Sequence, residues 1–188
     1  MDHYDLGLQR KLEIENNLLA IMEETPYDRI SVKDLTGNLQ IARKTFYHYF
    51  HNKHACLESL MDRLITESNL ALVSLPKHTG SRETYTEQLL FWIRNKAFLE
   101  AVLRNNLSFI LMNRAMLYVC REKNSFLNRL STNDLPCDED ILYGYIASQV
   151  CLILKWCREG FTRPMEEMVQ ISLRLAQEPV ISQNKENV

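Results

Sequence analysis

The chain has 188 residues, 46% hydrophobic and 24% charged, with five glycines and five prolines. A glycine share of roughly 3%, against an average of about 7%, leaves few residues for the tight turns of a doubly wound sheet, a β-sandwich or a phosphate-cradling loop. The net charge of −2 excludes a uniformly basic nucleic-acid binder and leaves room for one basic face on an acidic body. These numbers point to an all-α fold, long enough for a small module joined to a larger one.

In chain order, Leu8, Leu12, Leu18, Leu19, Ile21 and Met22 recur at helical spacing and predict a helix from Leu6 to Glu24, ended by Pro26. Ser31-Val32-Lys33-Asp34 then matches a capping box, in which the serine accepts from the third amide of a helix and the acid reaches back. A two-turn helix follows, with Asn38 as the expected left-handed stop. A second short helix runs from Arg43 to Tyr49, and Asn52 reads as the cap of a long helix from Lys53 to Ser74. Leu75 to Ser81 carries a Pro and a Gly and is the expected boundary between parts.

Beyond it, helices are predicted over Glu83–Arg94, Lys96–Arg104 and Leu107–Leu130, with a break at Ser131–Pro136. Asp138–Cys157 and Pro164–Ala176 complete the series, the first stopped by Gly160. Both are apolar over more than one stripe, and a helix apolar all round is buried all round. A second copy of the chain is the expected cover, through Ile146, Val150, Ile153, Leu154, Cys157, Met168, Ile171 and Leu175. From Gln177 onward the sequence is polar and expected to fray.

The functional signal lies between Arg29 and His54. Five bases (Arg29, Lys33, Arg43, Lys44, Lys53) stand there against one acid, Asp34, a local +4 in a chain of net −2. Within the second short helix, Phe46, Tyr49 and Phe50 share one face, and Arg43, Lys44, Tyr47 and His48 the other, with Thr45 near its start. A helix pair joined by a short turn, the second bearing the bases, fits the ~12 Å major groove of DNA. The candidate DNA-binding set is Ser31, Lys33, Arg43, Lys44, Thr45, Tyr47, His48 and Lys53. In it Lys44 and His48 are placed for base edges, Thr45 and Tyr47 for phosphates, and Lys53 for a phosphate at the start of the long helix.

These residues resemble a known family. Ile30-Ser31-Val32-Lys33-Asp34-Leu35, followed by Ile41-Ala42-Arg43-Lys44-Thr45-Phe46-Tyr47-His48-Tyr49-Phe50-His51-Asn52-Lys53, resembles the DNA-binding head of the TetR/AcrR transcriptional regulators. The segment Ile153 to Gly160 with Pro164 to Met168 is similar, more weakly, to the subgroup of dihydroxyacetone-kinase regulators. The resemblance implies a two-fold dimer, a helix-turn-helix on each protomer, a palindromic double-stranded operator, and repression relieved by a small-molecule or protein effector. Two positions depart from the family pattern: Gln40 stands where glycine is usual in the turn, and Ala42 where serine usually caps the second helix.

Other chemistries find little support. The five cysteines are scattered without a C-x-x-C pair, against a disulfide framework or a zinc site and in keeping with a reducing cytosol. His48, His51 and His54 recur every three residues but have no Cys or carboxylate at ligand spacing, so no metal is expected. Nucleophile-elbow, P-loop and dinucleotide motifs are absent, and neither an enzyme nor a cofactor is expected. The acidic opening Met1 to Asp5 does not read as a secretion signal, and no apolar run approaches the ~18–20 residues of a membrane span. The expectation is a cytoplasmic protein with a DNA-binding domain over residues 1–52, a helical effector and dimerisation domain over 53–177, and a disordered tail over 178–188. Trp92, Phe109, Met112 and Met116 are the candidate effector-pocket residues, and Arg94, Arg104 and Arg114 nearby suggest an anionic or polar effector.

Overall fold

The computed structural model describes residues 3–73, 81–122 and 139–177. The expected boundary over 75–81, the far end of the helix predicted to Leu130, the break at 131–136 and the tail over 178–188 lie outside or almost wholly outside those residues. The described chain is helical throughout, with no strand. Its helices are α1 (His3–Glu24), α2 (Val32–Asn38), α3 (Arg43–Tyr49), α4 (Lys53–Val73), α5 (Ser81–Arg94), α6 (Lys96–Arg104), α7 (Ser108–Arg121), α8 (Glu139–Arg158) and α9 (Met165–Gln177). A single 3-10 turn at Tyr27–Arg29 joins α1 to α2.

The first three helices form a head. Ile14, Leu18 and Met22 of α1, Leu35 of α2 and Phe46 of α3 are sealed from solvent together. Asn17, buried on α1, ties the group by hydrogen bonds: its Nδ2 donates to the Leu35 carbonyl at 3.0 Å, and its Oδ1 accepts from Asn38. Asn38 is therefore not the left-handed stop expected of it: it ends α2 in helical conformation, and the left-handed residue is Gln40, two positions on, at φ 53°.

Three helix ends close by one geometry. After α2, the Ile41 amide donates to Thr36 O and the Gln40 amide to Gly37 O. After α6 the pairs are Leu107 to Val102 and Asn106 to Leu103, and after α8 they are Phe161 to Trp156 and Gly160 to Cys157. This is the Schellman arrangement, which satisfies orphan carbonyls and needs a left-handed residue at its corner. Gln40, Asn106 and Gly160 fill the corners at φ 53°, 56° and 68°. The following residue is apolar each time (Ile41, Leu107, Phe161) and packs against the core.

Helix α4, about 30 Å long at 1.5 Å per residue, belongs to both parts. It packs on α1 in the head and on α5 and α7 in the body, where α9 lies on α5 and α8 on α6 and α7. Its fully buried Leu57, Leu60 and Met61 join one continuous core. Glu15, 1% exposed on α1, accepts from Ser59 Oγ and Arg63 Nε of α4, both at 2.7 Å. A buried carboxylate of this kind is tolerated because two donors satisfy it.

Helices α8 and α9 bury part of the expected dimer set within the single chain. Ile146, Ile153, Leu154, Cys157 and Met168 are between 1% and 8% exposed within the single chain, so its own core covers them. Val150, Ile171 and Leu175 are half-buried, and Val150 lines an internal cavity. The wide apolar zone of α8 is divided between α6, α7 and α9, and its outward side carries Tyr143, Gly144, Cys151, Lys155 and Arg158.

Candidate nucleic-acid interface

The reading helix is fixed from behind. Phe46 is wholly buried and Phe50 nearly so, with ring centroids 5.8 Å apart, and Tyr49 is half-buried beside them. The Lys11 ammonium lies 5.8 Å from the centre of the Phe50 ring, adding a cation–π contact from α1. With these rings inward, a seven-residue helix has its other face outward by periodicity. Arg43, Lys44, Tyr47 and His48 are all exposed, Tyr47 at 54%, and Thr45 is half-buried at their edge.

The supporting helix begins as the motif requires. The Asp34 amide donates to Ser31 Oγ at 3.3 Å, and the Asp34 carboxylate accepts from the Ser31 amide at 2.8 Å and its hydroxyl at 2.6 Å. The bond from the Ser31 side chain, joined by the one from its backbone, holds the Asp34 carboxyl below its ordinary value. Ser31 and Lys33 remain exposed at the start of α2. The recognition helix lacks the equivalent cap: Ala42 holds the cap position with no side-chain hydrogen bond.

Lys53 is placed differently from the rest of the set. Its Nζ donates to the carbonyls of Tyr27 at 2.6 Å and Ile30 at 2.8 Å, and sits 4.1 Å from the centre of the Tyr27 ring. Burial lowers its pKa from the usual lysine value, opposed by the charge of Asp28. The structure therefore brings Arg43, Lys44, Thr45, Tyr47 and His48 together on one face of α3, leaves Ser31 and Lys33 exposed at the start of α2, and turns Lys53 back into the head as a clamp. The start of α4 is capped instead by Asn52, whose Oδ1 accepts from the Ala55 amide at 2.8 Å.

The clamp is also where the body touches the head. The Tyr27 amide donates to Asn105 Oδ1, from the α6 corner, at 2.6 Å, and Arg104 donates to the Glu23 carbonyl. Sequence reasoning missed Asn105. The signal was present in Arg104-Asn105-Asn106-Leu107, a basic end followed by two asparagines and an apolar residue, which is Schellman composition.

In the body, one of the four candidate pocket residues borders a cavity. Trp92 borders a cavity of about 60 Å3 between α4, α5, α7 and α8. Phe109, Met112 and Met116 do not border it: α7 presents Leu111, Ala115, Tyr118 and Val119 instead, and Phe109 is 73% exposed. The arginines expected beside it are engaged or exposed elsewhere. Arg114 pairs with Asp62 and Glu58 of α4, Arg104 with the Glu23 carbonyl, and Arg94 is exposed.

Comparison with known proteins agrees with this geometry. Residues 18–60 match the bacterial regulatory proteins of the tetR family. That span begins within α1, runs through both short helices and ends on α4. The head is thus the part of this chain that is similar to that family. Over 77 residues it is 38% identical to the HTH-type transcriptional regulator EthR of Mycobacterium tuberculosis, a stretch covering 41% of this chain and 36% of that regulator. The chain thus spans about a third of the length of the curated relatives it matches.

The fold is shared more widely than the sequence. A TetR regulator from Streptococcus agalactiae superposes with a TM-score of 0.66 at 17% identity, over 93% of this chain and 97% of that one. A tetR-family regulator from Streptomyces coelicolor gives 0.59 at 18% identity over 89% and 78% of the two chains. The dihydroxyacetone kinase operon activator DhaS gives 0.57 at 17% identity over 89% and 93%. The TetR-type head and the helical body behind it are therefore one known architecture, head and connecting rod included.

Proposed function

We propose that this chain is a sequence-specific regulator of transcription that binds double-stranded DNA as a homodimer, as a repressor released by an effector. The observation that carries the reading is the outward face of α3. Two bases, a tyrosine and a histidine stand exposed on a helix whose opposite face is locked by buried Phe46 and Phe50. Arg and Lys donate to guanine O6 and N7 in the major groove, and a histidine or tyrosine reaches bases or phosphates from the same helix. A two-fold dimer would set two such helices about 34 Å apart, on successive grooves, and so read a palindrome.

Because Ile146, Ile153, Leu154 and Met168 are covered by their own chain, the dimer would use the outer sides of α8 and α9, with Tyr143, Gly144, Cys151, Ile171 and Leu175. Release would act through α4 and the α6 corner, since Asn105 and Arg104 meet the head at Tyr27 and Glu23. An effector that binds one spacing of the two heads better than another shifts the population toward it. The assignment concerns a non-enzymatic regulator, and among the described residues no helix is long and apolar enough to cross a membrane. Placement in the cytoplasm follows from the proposed DNA partner.

Selection of bound duplexes from a random pool at two salt concentrations tests this directly. The expected result is a palindromic consensus with affinity falling steeply as salt rises, because phosphate neutralisation releases counterions. Lys44→Ala should cost about 1–3 kcal/mol on the selected site and relax the preference at one base position. Unchanged affinity would remove Lys44 from the reading set, and a pool with no enriched sequence would remove the proposal.

A second reading has its own support. Phe109 at 73% and Leu117 at 50% exposure stand on the outer side of α7, while the cavity behind that helix is small. A coregulator of the same fold that takes its signal from a protein partner would present such a face. Substituting Phe109→Ser and Leu117→Ser together leaves DNA binding intact in both readings and abolishes regulation only in this one.

A further inference from the structure

We infer that Glu15 of α1 and Arg63 of α4 are positioning residues for the DNA interface: their buried pair fixes the head on the connecting helix and so sets the separation at which two reading helices meet DNA. The separation rests on the dimer proposed above; the fixing of the head does not.

The pair lies where head meets rod. Glu15 is 1% exposed, and each of its carboxylate oxygens has its own donor on α4: Oε1 accepts from Ser59 Oγ and Oε2 from Arg63 Nε, both at 2.7 Å. Arg63 spreads its guanidinium over three acceptors. Beyond Glu15, its Nη2 donates to Asn16 Oδ1 at 2.8 Å and its Nη1 to Glu67 at 3.2 Å. Ser59 and Arg63 are one turn apart on α4, and Glu15 and Asn16 are neighbours on α1. The cluster therefore resists both sliding along α4 and rotation about it. A planar fork can do this, whereas the point charge of a lysine cannot.

Apolar packing alone would not hold the register. The rest of the contact between α1 and α4 is apolar, with Ile14, Leu18, Leu57, Leu60 and Leu64 in one core. Hydrophobic attraction has no direction, so such a contact tolerates small slips. A slip of one turn, about 5.4 Å, would strand the Glu15 carboxylate among apolar groups without a partner. A buried ion pair adds little net stability over apolar residues of similar size; what it adds is a penalty on every other register. Lys53 already ties the start of α4 to the Tyr27 and Ile30 carbonyls. One anchor leaves a pivot. Arg63 supplies a second about 15 Å further along the helix, and the head can then move only with α4.

DNA would read that constraint as spacing. Each added base pair moves one half-site by about 3.4 Å and about a tenth of a turn, so a fixed head accepts one spacing and a pivoting head accepts several.

The test uses the full chain carrying Glu15→Leu with Arg63→Met, which removes both charges together. This variant should melt no lower than the parent, whereas Arg63→Met alone leaves the buried carboxylate without its counter-charge and should melt lower. The first readout needs no DNA. Gly37→Cys on α2, where a side chain meets open space, and Leu70→Cys on α4, 57% exposed in the parent, carry spin labels. Cys120, Cys137 and Cys151 are replaced by serine, and excess unlabelled chain dilutes pairs between protomers. Pulsed dipolar spectroscopy should give a head-to-rod distance distribution about twice as wide in the double variant as in the parent, as for a register freed of its pairing penalty. The second readout is the selected palindrome with one base pair added or removed at its centre. The parent should lose about tenfold in affinity at each change and the double variant less than about threefold, with the same half-site consensus. An unchanged distance distribution or an unchanged spacing preference in the folded double variant overturns the inference. So does an equal loss of affinity on every spacing, which would make the pair merely structural. If the parent enriches no palindrome, the proposed function falls, and the label distances alone decide whether the pair fixes the head.

Discussion

Head and body arrange the same ingredients in opposite ways. The head keeps its rings inside, at Phe46 and Phe50, and its charges outside, at Arg43 and Lys44. The body turns Phe109 and Leu117 outward and buries the amide of Gln149 and the hydroxyl of Ser172 without partners. A surface of positive charge on a satisfied core is finished as it stands and needs a polyanion. Exposed rings and orphaned polar groups mark a unit built to be completed by something else, because both cost free energy until they are covered or bonded.

The largest test asks whether the two parts are one folding unit. Phe46→Ala empties a fully buried ring site in the head and should cost about 3–5 kcal/mol; Leu142→Ala does the same on α8 for about 2–5 kcal/mol. Because Leu57, Leu60 and Met61 of α4 face both parts, each variant should still unfold in one transition by urea, seen alike by far-ultraviolet dichroism and tryptophan fluorescence. Two separate transitions in Phe46→Ala would break the claim of a shared core.

Alkaline pH should act where α4 meets the head, as well as on buried groups of the body. Burial pushes the Tyr27 hydroxyl up to about 12 from 10.0, and the Cys56 thiol up to about 12 from 9.0, with Glu15 adding to the second. A folded-state value raised above the unfolded one gives stability that is complete below the unfolded value and disappears as pH rises toward the folded one. Stability should therefore decline between pH 9 and 12, and Cys56→Ser should flatten the lower part of that decline. A flat profile to pH 11 would mean that neither group is shielded. Native thiol labelling should agree, with exposed Cys120 reacting, Cys151 reacting only while the chain is monomeric, and buried Cys56 and Cys157 protected.

Lys53 separates charge from architecture. As a clamp on Tyr27 and Ile30 it should contribute about 1–3 kcal/mol of stability, the range for hydrogen bonds from a charged donor. Lys53→Met should lower the melting temperature and weaken DNA binding through a misplaced head, with the dependence on salt unchanged. A phosphate contact predicts the reverse pattern: normal stability, and a slope of log affinity against log salt reduced by about one.

This lysine also shows where sequence reasoning stops. The capping box at Ser31 and Asp34, the inward set Phe46, Tyr49 and Phe50, and the exposed bases of α3 were all legible, because each depends on residues within one or two helical turns. The partner of Lys53 lies 26 residues away and that of Asn105 lies 78 away, so local pattern marks the corner at Asn105 but announces neither partner. In the body, periodicity identified α7 and α8 as helices rich in apolar residues but not which apolar side met which neighbour. Phe109, Met112 and Met116 read as pocket because they are large. The neighbours of α7 rotated Leu111, Ala115 and Val119 inward instead. Five of the residues expected at an interface on α8 and α9 are covered by their own chain for a related reason: an apolar stripe does not say whether its cover is another helix or another chain.

The smallest effects test the turn itself. Gln40 holds a left-handed corner at φ 53°, where a side chain costs about 1 kcal/mol and glycine costs little. Ala42 caps α3 without a side-chain bond, and a serine there should recover about 1 kcal/mol. Gln40→Gly gives back part of its gain as unfolded-chain entropy, so about 0.5 kcal/mol is expected from it. The two act at adjacent ends of one turn, so their effects should couple rather than simply add, within a melting shift of a few degrees measurable by calorimetry. Their effect on DNA binding discriminates between two reasons for the departures. If the turn is merely suboptimal, both variants bind the selected operator as well as the parent or better. If a loosely capped α3 is what lets the body shift the head, both variants bind more tightly and respond less to whatever occupies the body, since a stiffer turn narrows the population on which an effector acts.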